Sequence, residues 1–376
     1  MTVALRRVLP YALFVVLPVA VVTTMFVVGV VTGPLALDFD TELYPQAKEL
    51  LAGHNPWPRA IWPPLAAATA APFTILPPTA AGMAFGLAGL ACTAGALWLV
   101  GMRDWRVYGV VGLWPPVLGD IRIGHLTPLL CLLAAVVWRY RDRPLGAGLS
   151  LGLACGVKFF LWPLGLWLVA CGRVRAAAIG AAVAVGSVLL VAPFAPLDDY
   201  VRTLRKVSSR FDQDSYSLFG FLTQLDLSET AARAAALTVG ATLLVLTWRR
   251  ASFTLAIASA LVLSPIVWFD FYALACVPLA IARPRLTAIW FLPLVTWGLP
   301  NSGIDTDPIW GVGRELAVFA IVLFVAARGE PSADGGRARP KTRPVAQRGD
   351  DLARVRPATG GHGSDADRAV HVREEK

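Results

Sequence analysis

Thirty residues without a charge, Val8 to Leu37, set the first constraint on this chain. The run exceeds the roughly 20 residues that a helix needs to cross hydrocarbon. A lone segment in lipid must satisfy every N–H and C=O within itself, which leaves the helix as its only form. Arg6 and Arg7 precede the run, so the positive-inside rule puts the N-terminus in the cytoplasm. No A-x-A cleavage pattern follows a short apolar core, and the run reads as a retained helix rather than a signal peptide. Beyond it comes Asp38-Phe39-Asp40-Thr41-Glu42, three carboxyls in five residues at the outer membrane edge.

The rest of the chain repeats this alternation. Of 376 residues, 56% are hydrophobic and only 16% are charged, where a soluble domain has about a quarter. The expected fold class is an all-α polytopic membrane protein. The net charge of +9 is not a nucleic-acid signal, because the arginines stand in short clusters between apolar runs. Those clusters are Arg103/Arg106, Arg139/Arg141/Arg143, Arg173/Arg175, Arg249/Arg250, Arg283/Arg285 and Arg328. Acid-bearing breaks fall between them at Asp38–Glu42, Asp120, Asp198/Asp199 to Asp214, Asp226–Glu229 and Asp305/Asp307. With arginines inside and acids outside, both termini are cytoplasmic.

Clear spans lie at about 10–31, 80–101, 176–195, 231–248 and 310–327. Between Arg143 and Arg173, and between Arg250 and Arg283, the chain leaves and returns to one side within some thirty residues. That predicts two short helices or a re-entrant pair, with Lys158 and Asp270 at the outer apices; such broken helices are tolerated where they line a cavity. The expected total is about 12 transmembrane helices (10–12), forming a domain over 1–327. External loops cover about 32–78 and 196–230, and Tyr44–Leu51 reads as an amphipathic surface helix. From 328 to 376 the Gly-, Pro-, Arg- and Asp-rich composition predicts a disordered cytoplasmic tail beside anionic lipid. Five scattered cysteines show neither CxxC spacing nor paired external positions, so no disulfide or metal site is expected.

No GxxxxGK[ST], HExxH, GxSxG or GxGxxG carries weight here, which argues against an ATP-driven pump and the known protease classes. What stands out is an ordered series: Asp38-Phe39-Asp40, Pro45, Gly53-His54-Asn55-Pro56-Trp57, Trp62-Pro63-Pro64, Gly124-His125-Leu126, Lys158-Phe159-Phe160-Leu161-Trp162-Pro163 and Ser264-Pro265-Ile266-Val267-Trp268-Phe269-Asp270. From about Leu35 to Pro300 this resembles glycosyltransferase family 87, the polyprenyl-phosphate-mannose-dependent α-mannosyltransferases of actinobacteria. The resemblance implies a C-class glycosyltransferase bundle with external loop helices in the cell membrane. It implies transfer of mannose or a related hexose, with inversion, from a polyprenyl-phosphate donor to a glycolipid or lipoglycan acceptor on the outer face.

A first-loop acid serves this family as catalytic base. The spacing to Pro45 makes Asp38 the first choice and Asp40 the second. Lys158, then Arg122 and His125, are the candidates for stabilising the departing phosphate. His54, Asn55, Trp62, Trp268 and Asp270 are the candidates for contacting substrate. Because the donor carries its own leaving group, no metal or other cofactor is obligatory. Two positions depart from the family, which usually has Gln in place of His125 and His in place of Asp270.

Plainer readings stand beside these. Asp38 could be a solvated helix-end residue, and Asp38-x-Asp40 also has the form of the metal motif of soluble nucleotide-sugar transferases. Lys158 could snorkel to the interface, and Trp62, Trp162 and Trp268 could be interfacial anchors. Broken helices bearing Lys158 and Asp270 would also suit a secondary transporter or lipid flippase, although the chain has no visible repeat and its charges gather at the outer edge.

Overall fold

A computed structural model describes residues 8–33, 35–55, 62–190, 193, 196–211, 215–297 and 308–331. The tail from 332 onward, and Asp212, Asp214, Asp305 and Asp307, lie outside the described residues. The described residues are helical, with no strand among them. Among the described residues, four helices are long and apolar enough to cross a membrane: α1 (Val8–Thr32), α4 (Pro78–Leu99), α13 (Glu229–Arg250) and α16 (Ile309–Gly329). Between α1 and α4 lie α2 (Tyr44–Leu51) and α3 (Pro64–Ala70), the latter extended by a 3-10 turn to Ile75. The middle of the chain forms α5 (Trp105–Gly112), α6 (Pro115–Ile123), α7 (Thr127–Arg139), α8 (Pro144–Val157), α9 (Pro163–Ala170), α10 (Val174–Leu189), α11 (Leu197–Phe211) and α12 (Leu218–Gln224). After α13 come α14 (Phe253–Leu263), a 3-10 segment Phe269–Ala275, α15 (Cys276–Ala282) and a second 3-10 segment Ala288–Thr296.

The expected count of about twelve spans does not appear as twelve long helices. The segment expected at about 176–195 is the 16-residue α10, ending at Leu189. Prolines start many of the short helices, as at Pro64, Pro115, Pro144 and Pro163, where the missing N–H costs nothing. The two excursions fold as helix–break–helix. Lys158 stands extended at the end of α8, and Ser264–Trp268 separates α14 from the 3-10 segment that opens with Phe269 and Asp270.

α8 and α10 pack with almost no space between them. A Cβ on Gly148 would stand 2.7 Å from the Ala176 carbonyl oxygen, and one on Gly152 would stand 2.4 Å from Val183. A Cβ on Gly156 would stand 2.8 Å from Ser187. Glycine at every fourth position of α8 thus forms a groove for α10, the small-residue packing that membrane helices use when burial from water drives nothing.

Contacts join the arginine-bearing breaks into one end of the molecule. Arg173 pairs with Asp142 at 2.8 Å. The Trp167 indole donates to the Ala251 carbonyl at 2.9 Å. Glu330 accepts from the Ser252 hydroxyl and from the Phe253 and Thr254 N–H groups, capping α14. A Cβ on Gly329 would meet Arg283, and Asp104 accepts from the Leu286 N–H at 3.0 Å. Asp104 also caps α5 and is gripped through two nitrogens by Arg106, which holds its carboxyl down at about 2.

Candidate active site

The acid cluster after α1 is held by an aromatic plug. Phe39 is fully buried, stacked on Phe85 at 4.4 Å and edge-on to Phe73 at 6.1 Å. Residues Phe39–Leu43 form a π-helical turn, a form of helix often found at functional sites. With Phe39 driven inward, Asp38 and Asp40 emerge on either side of it. Asp40 turns toward Gly82 of α4; its Oδ1 is buried without a hydrogen bond, and burial raises its carboxyl to about 6. Glu42 accepts from the Trp62 indole at 2.8 Å. Burial, and then the neighbouring Asp38, raise the Glu42 carboxyl.

Asp38 faces a buried histidine. Its Oδ2 lies 2.7 Å from His125 Nε2, and His125 Nδ1 lies 2.6 Å from Asp270 Oδ2. Thr127 Oγ1 donates to the same Asp270 oxygen at 2.9 Å. Exposure falls steeply along this line, with side-chain values of 27% for Asp38, 2% for His125 and 0% for Asp270. The turn at Gly124 makes the line possible. Gly124 ends α6 in the left-handed region (φ 76°), and its N–H bonds to the Asp120 carbonyl at 2.7 Å. A Cβ there would press 2.7 Å from Ala36 and 2.8 Å from Phe39. Only glycine lets the loop that carries Asp38 settle directly over the residue before His125.

Lys158 closes the opposite wall. Its ammonium lies over the rings of Phe271 at 3.5 Å and Trp62 at 4.8 Å. It sits amid the carboxyls of Asp38, Glu42, Asp120 and Asp270. Trp62 is itself 97% buried and meets His125 edge-on at 5.2 Å, so it is a wall of this site rather than an interfacial anchor. Asp120 is buried below, its oxygens without a well-formed hydrogen bond and with Thr127 and Asp270 beside it. One ligand atom each from Asp120, His125 and Asp270 fall within 4.8 Å of one another, so these three could hold a cation. Both ring nitrogens of His125, however, already face carboxylates.

A part-exposed acid anchored on a buried His–Asp pair, with a lysine beside it, is equipped for proton removal next to a developing negative charge. A family model for glycosyltransferase family 87 matches residues 60–278. The chain belongs to glycosyltransferase family 87. No curated protein and no solved structure matches it. Membership makes it a glycosyltransferase, and the long apolar helices make it a membrane protein. The family 87 match takes in Trp62, Asp120, His125, Lys158 and Asp270, while Asp38, Asp40 and Glu42 precede it.

The remaining expected residues are dispersed around this family 87 core. His54 is exposed and pairs with Glu49 at 3.0 Å, apart from the hydrogen-bonded cluster. Asn55 donates to Asp199 of α11 at 3.0 Å, which joins the two loops. Arg122 is exposed at the end of α6 and lines a cavity of about 510 Å³ with Val21, Met25, Leu118, Phe269 and Trp297. Its backbone carbonyl accepts from the Ala36 N–H at 2.9 Å. Trp268 immediately precedes the 3-10 segment that carries Asp270. Glu42, Asp120, Thr127 and Phe271 complete the cluster, though no sequence signal singled them out as site residues. Asp120 carried the one available hint, a lone acid in an apolar stretch.

Proposed function

We propose that this protein transfers mannose, or a related hexose, from a polyprenyl-phosphate carrier to a glycolipid or lipoglycan acceptor at the outer face of the cell membrane. The chain then crosses the bilayer many times, with both termini in the cytoplasm. The observation that carries the reading is Asp38, part-exposed and fixed by its Oδ2 to a buried His125 within a family 87 protein. Its Oδ1 meets the acceptor hydroxyl and takes the proton. The acceptor oxygen bonds to the anomeric carbon as the bond to the lipid phosphate breaks, and the phosphate leaves with the electron pair. Attack from the face opposite the leaving group inverts the anomeric centre. Lys158, an ammonium among rings and carboxyls, is the cation placed to meet the growing phosphate charge. Arg122 is the second phosphate contact. Trp62 and Trp268 wall the sugar site, while His54 and Asn55 bear on the loop through which the acceptor enters.

Mass spectrometry of envelope glycolipids from cells lacking the protein tests this. The expected result is accumulation of a glycolipid one hexose short of the parent product, restored by the wild-type gene. An unchanged glycolipid profile contradicts the proposal.

A further inference from the structure

We infer that His125 and Asp270 are positioning residues for Asp38, with His125 held as an imidazolium that bridges the two carboxylates. The inference rests on the reading of Asp38 as base. Hydrogen-bond arithmetic carries it. A neutral imidazole has one N–H and one lone pair. At 2.6 and 2.7 Å both ring nitrogens of His125 face carboxylate oxygens, which only accept when ionised. With both carboxylates ionised, a lone pair aimed at either oxygen at that distance would be repulsive, so each nitrogen donates.

The order of burial assigns the roles. Asp270 is sealed, and its Oδ2 accepts from His125 Nδ1 and from Thr127 Oγ1, which fixes the ring's tilt. The ring then presents Nε2–H outward to Asp38 Oδ2. This leaves Oδ1 as the oxygen that takes the acceptor proton. The proton ends on Oδ1, and the imidazolium and Asp270 keep their charges throughout. Glu42, Asp120 and Lys158 are the other titratable groups facing this line.

The test uses the full-length protein in nanodiscs. Its chain has four histidines, so ¹⁵N-histidine labelling gives a countable spectrum. The expected wild-type spectrum has one imidazole with two far-downfield ring N–H protons at neutral pH. Both signals are absent in His125→Gln, and only the Nε2–H signal moves in Asp38→Asn. A single N–H on that ring, or free exchange at both nitrogens, overturns the inference. In parallel, transfer is followed from synthetic polyprenyl-phosphate mannose to octyl α-mannoside. Asp270→Asn and His125→Gln should lower kcat on the order of 10²-fold, with the donor KM within a few-fold. Should Asp38→Asn abolish transfer while both other variants keep the wild-type kcat, the positioning role fails and the base survives. Should Asp38→Asn retain the wild-type rate, the base itself is wrong.

Discussion

Phe39 sets the directions in which its two flanking acids point. With its ring seated against Phe85, the flanking carboxyls diverge, Asp38 to His125 and Asp40 to Gly82. Asp40 has no polar partner for its buried Oδ1, and burial holds its carboxyl at about 6, above its usual 3.8. Between those values the folded state binds more protons than the unfolded one, so this group's contribution to stability falls as pH rises through the interval. Asp40→Asn should therefore flatten the decline in melting temperature between pH 4 and 7 while retaining transfer activity. A steeper decline, or loss of transfer, would count against this assignment. Asp38 was legible in the sequence because an acid directly after a long uncharged run is conspicuous. The His125–Asp270 pair was not, since its 145-residue separation is closed only by tertiary packing. Read alone, His125 suggested a contact to the departing phosphate and Asp270 a substrate contact instead.

At the level of elements, breaks were easier to read than lengths. Arginine clusters and prolines marked where helices end, and both excursions folded as broken pairs with Lys158 and Asp270 at their turns. The short helices were harder, because an apolar run of 14 or 16 residues looks the same whether it crosses lipid or lines a cavity. The glycines of α8 were visible at their four-residue spacing, yet their meaning depends on the partner surface that α10 supplies. Gly152→Val should separate α8 from α10, since its first carbon alone would stand 2.4 Å from Val183. Overpacking of this kind costs about 1–3 kcal/mol or more, measurable as a lowered melting temperature in detergent. A melting temperature equal to the wild type would show that the interface is looser than described. Glu330 gives a second element-scale expectation. It receives two backbone N–H groups at the start of α14 as well as the Ser252 hydroxyl. Glu330→Ala should cost about 1–2 kcal/mol through lost capping and helix-dipole interaction, read as earlier hydrogen exchange in α14. Unchanged protection there would contradict the capping role.

At the scale of the whole molecule, contacts connect breaks that lie far apart in the chain. The arginine-bearing breaks at 103–106, 139–143, 173–175, 249–250, 283–285 and 328 are tied together by Asp142–Arg173, Trp167–Ala251, Ser252–Glu330, Gly329–Arg283 and Asp104–Leu286. The acids that act in the proposal collect at Asp38, Glu42, Asp120 and Asp270 around Lys158. The positive-inside rule predicts that these arginine-bearing breaks face the cytoplasm. Periplasmic-reporter fusions should therefore be active after Gly53 and silent after Gly172 and Gly329. A reversed pattern would place the acid cluster inside and remove the outer-face reaction. The alternating charges are the sequence's argument for this polarity, whereas the meeting of Asp38, His125 and Asp270 emerges only from the fold.

The most direct measurement is transfer of labelled mannose from polyprenyl-phosphate mannose in membranes carrying the wild type or Asp38→Asn at matched abundance. Loss of a general base predicts a fall on the order of 10²–10⁴-fold in the variant. Transfer by Asp38→Asn at the wild-type rate would contradict the account.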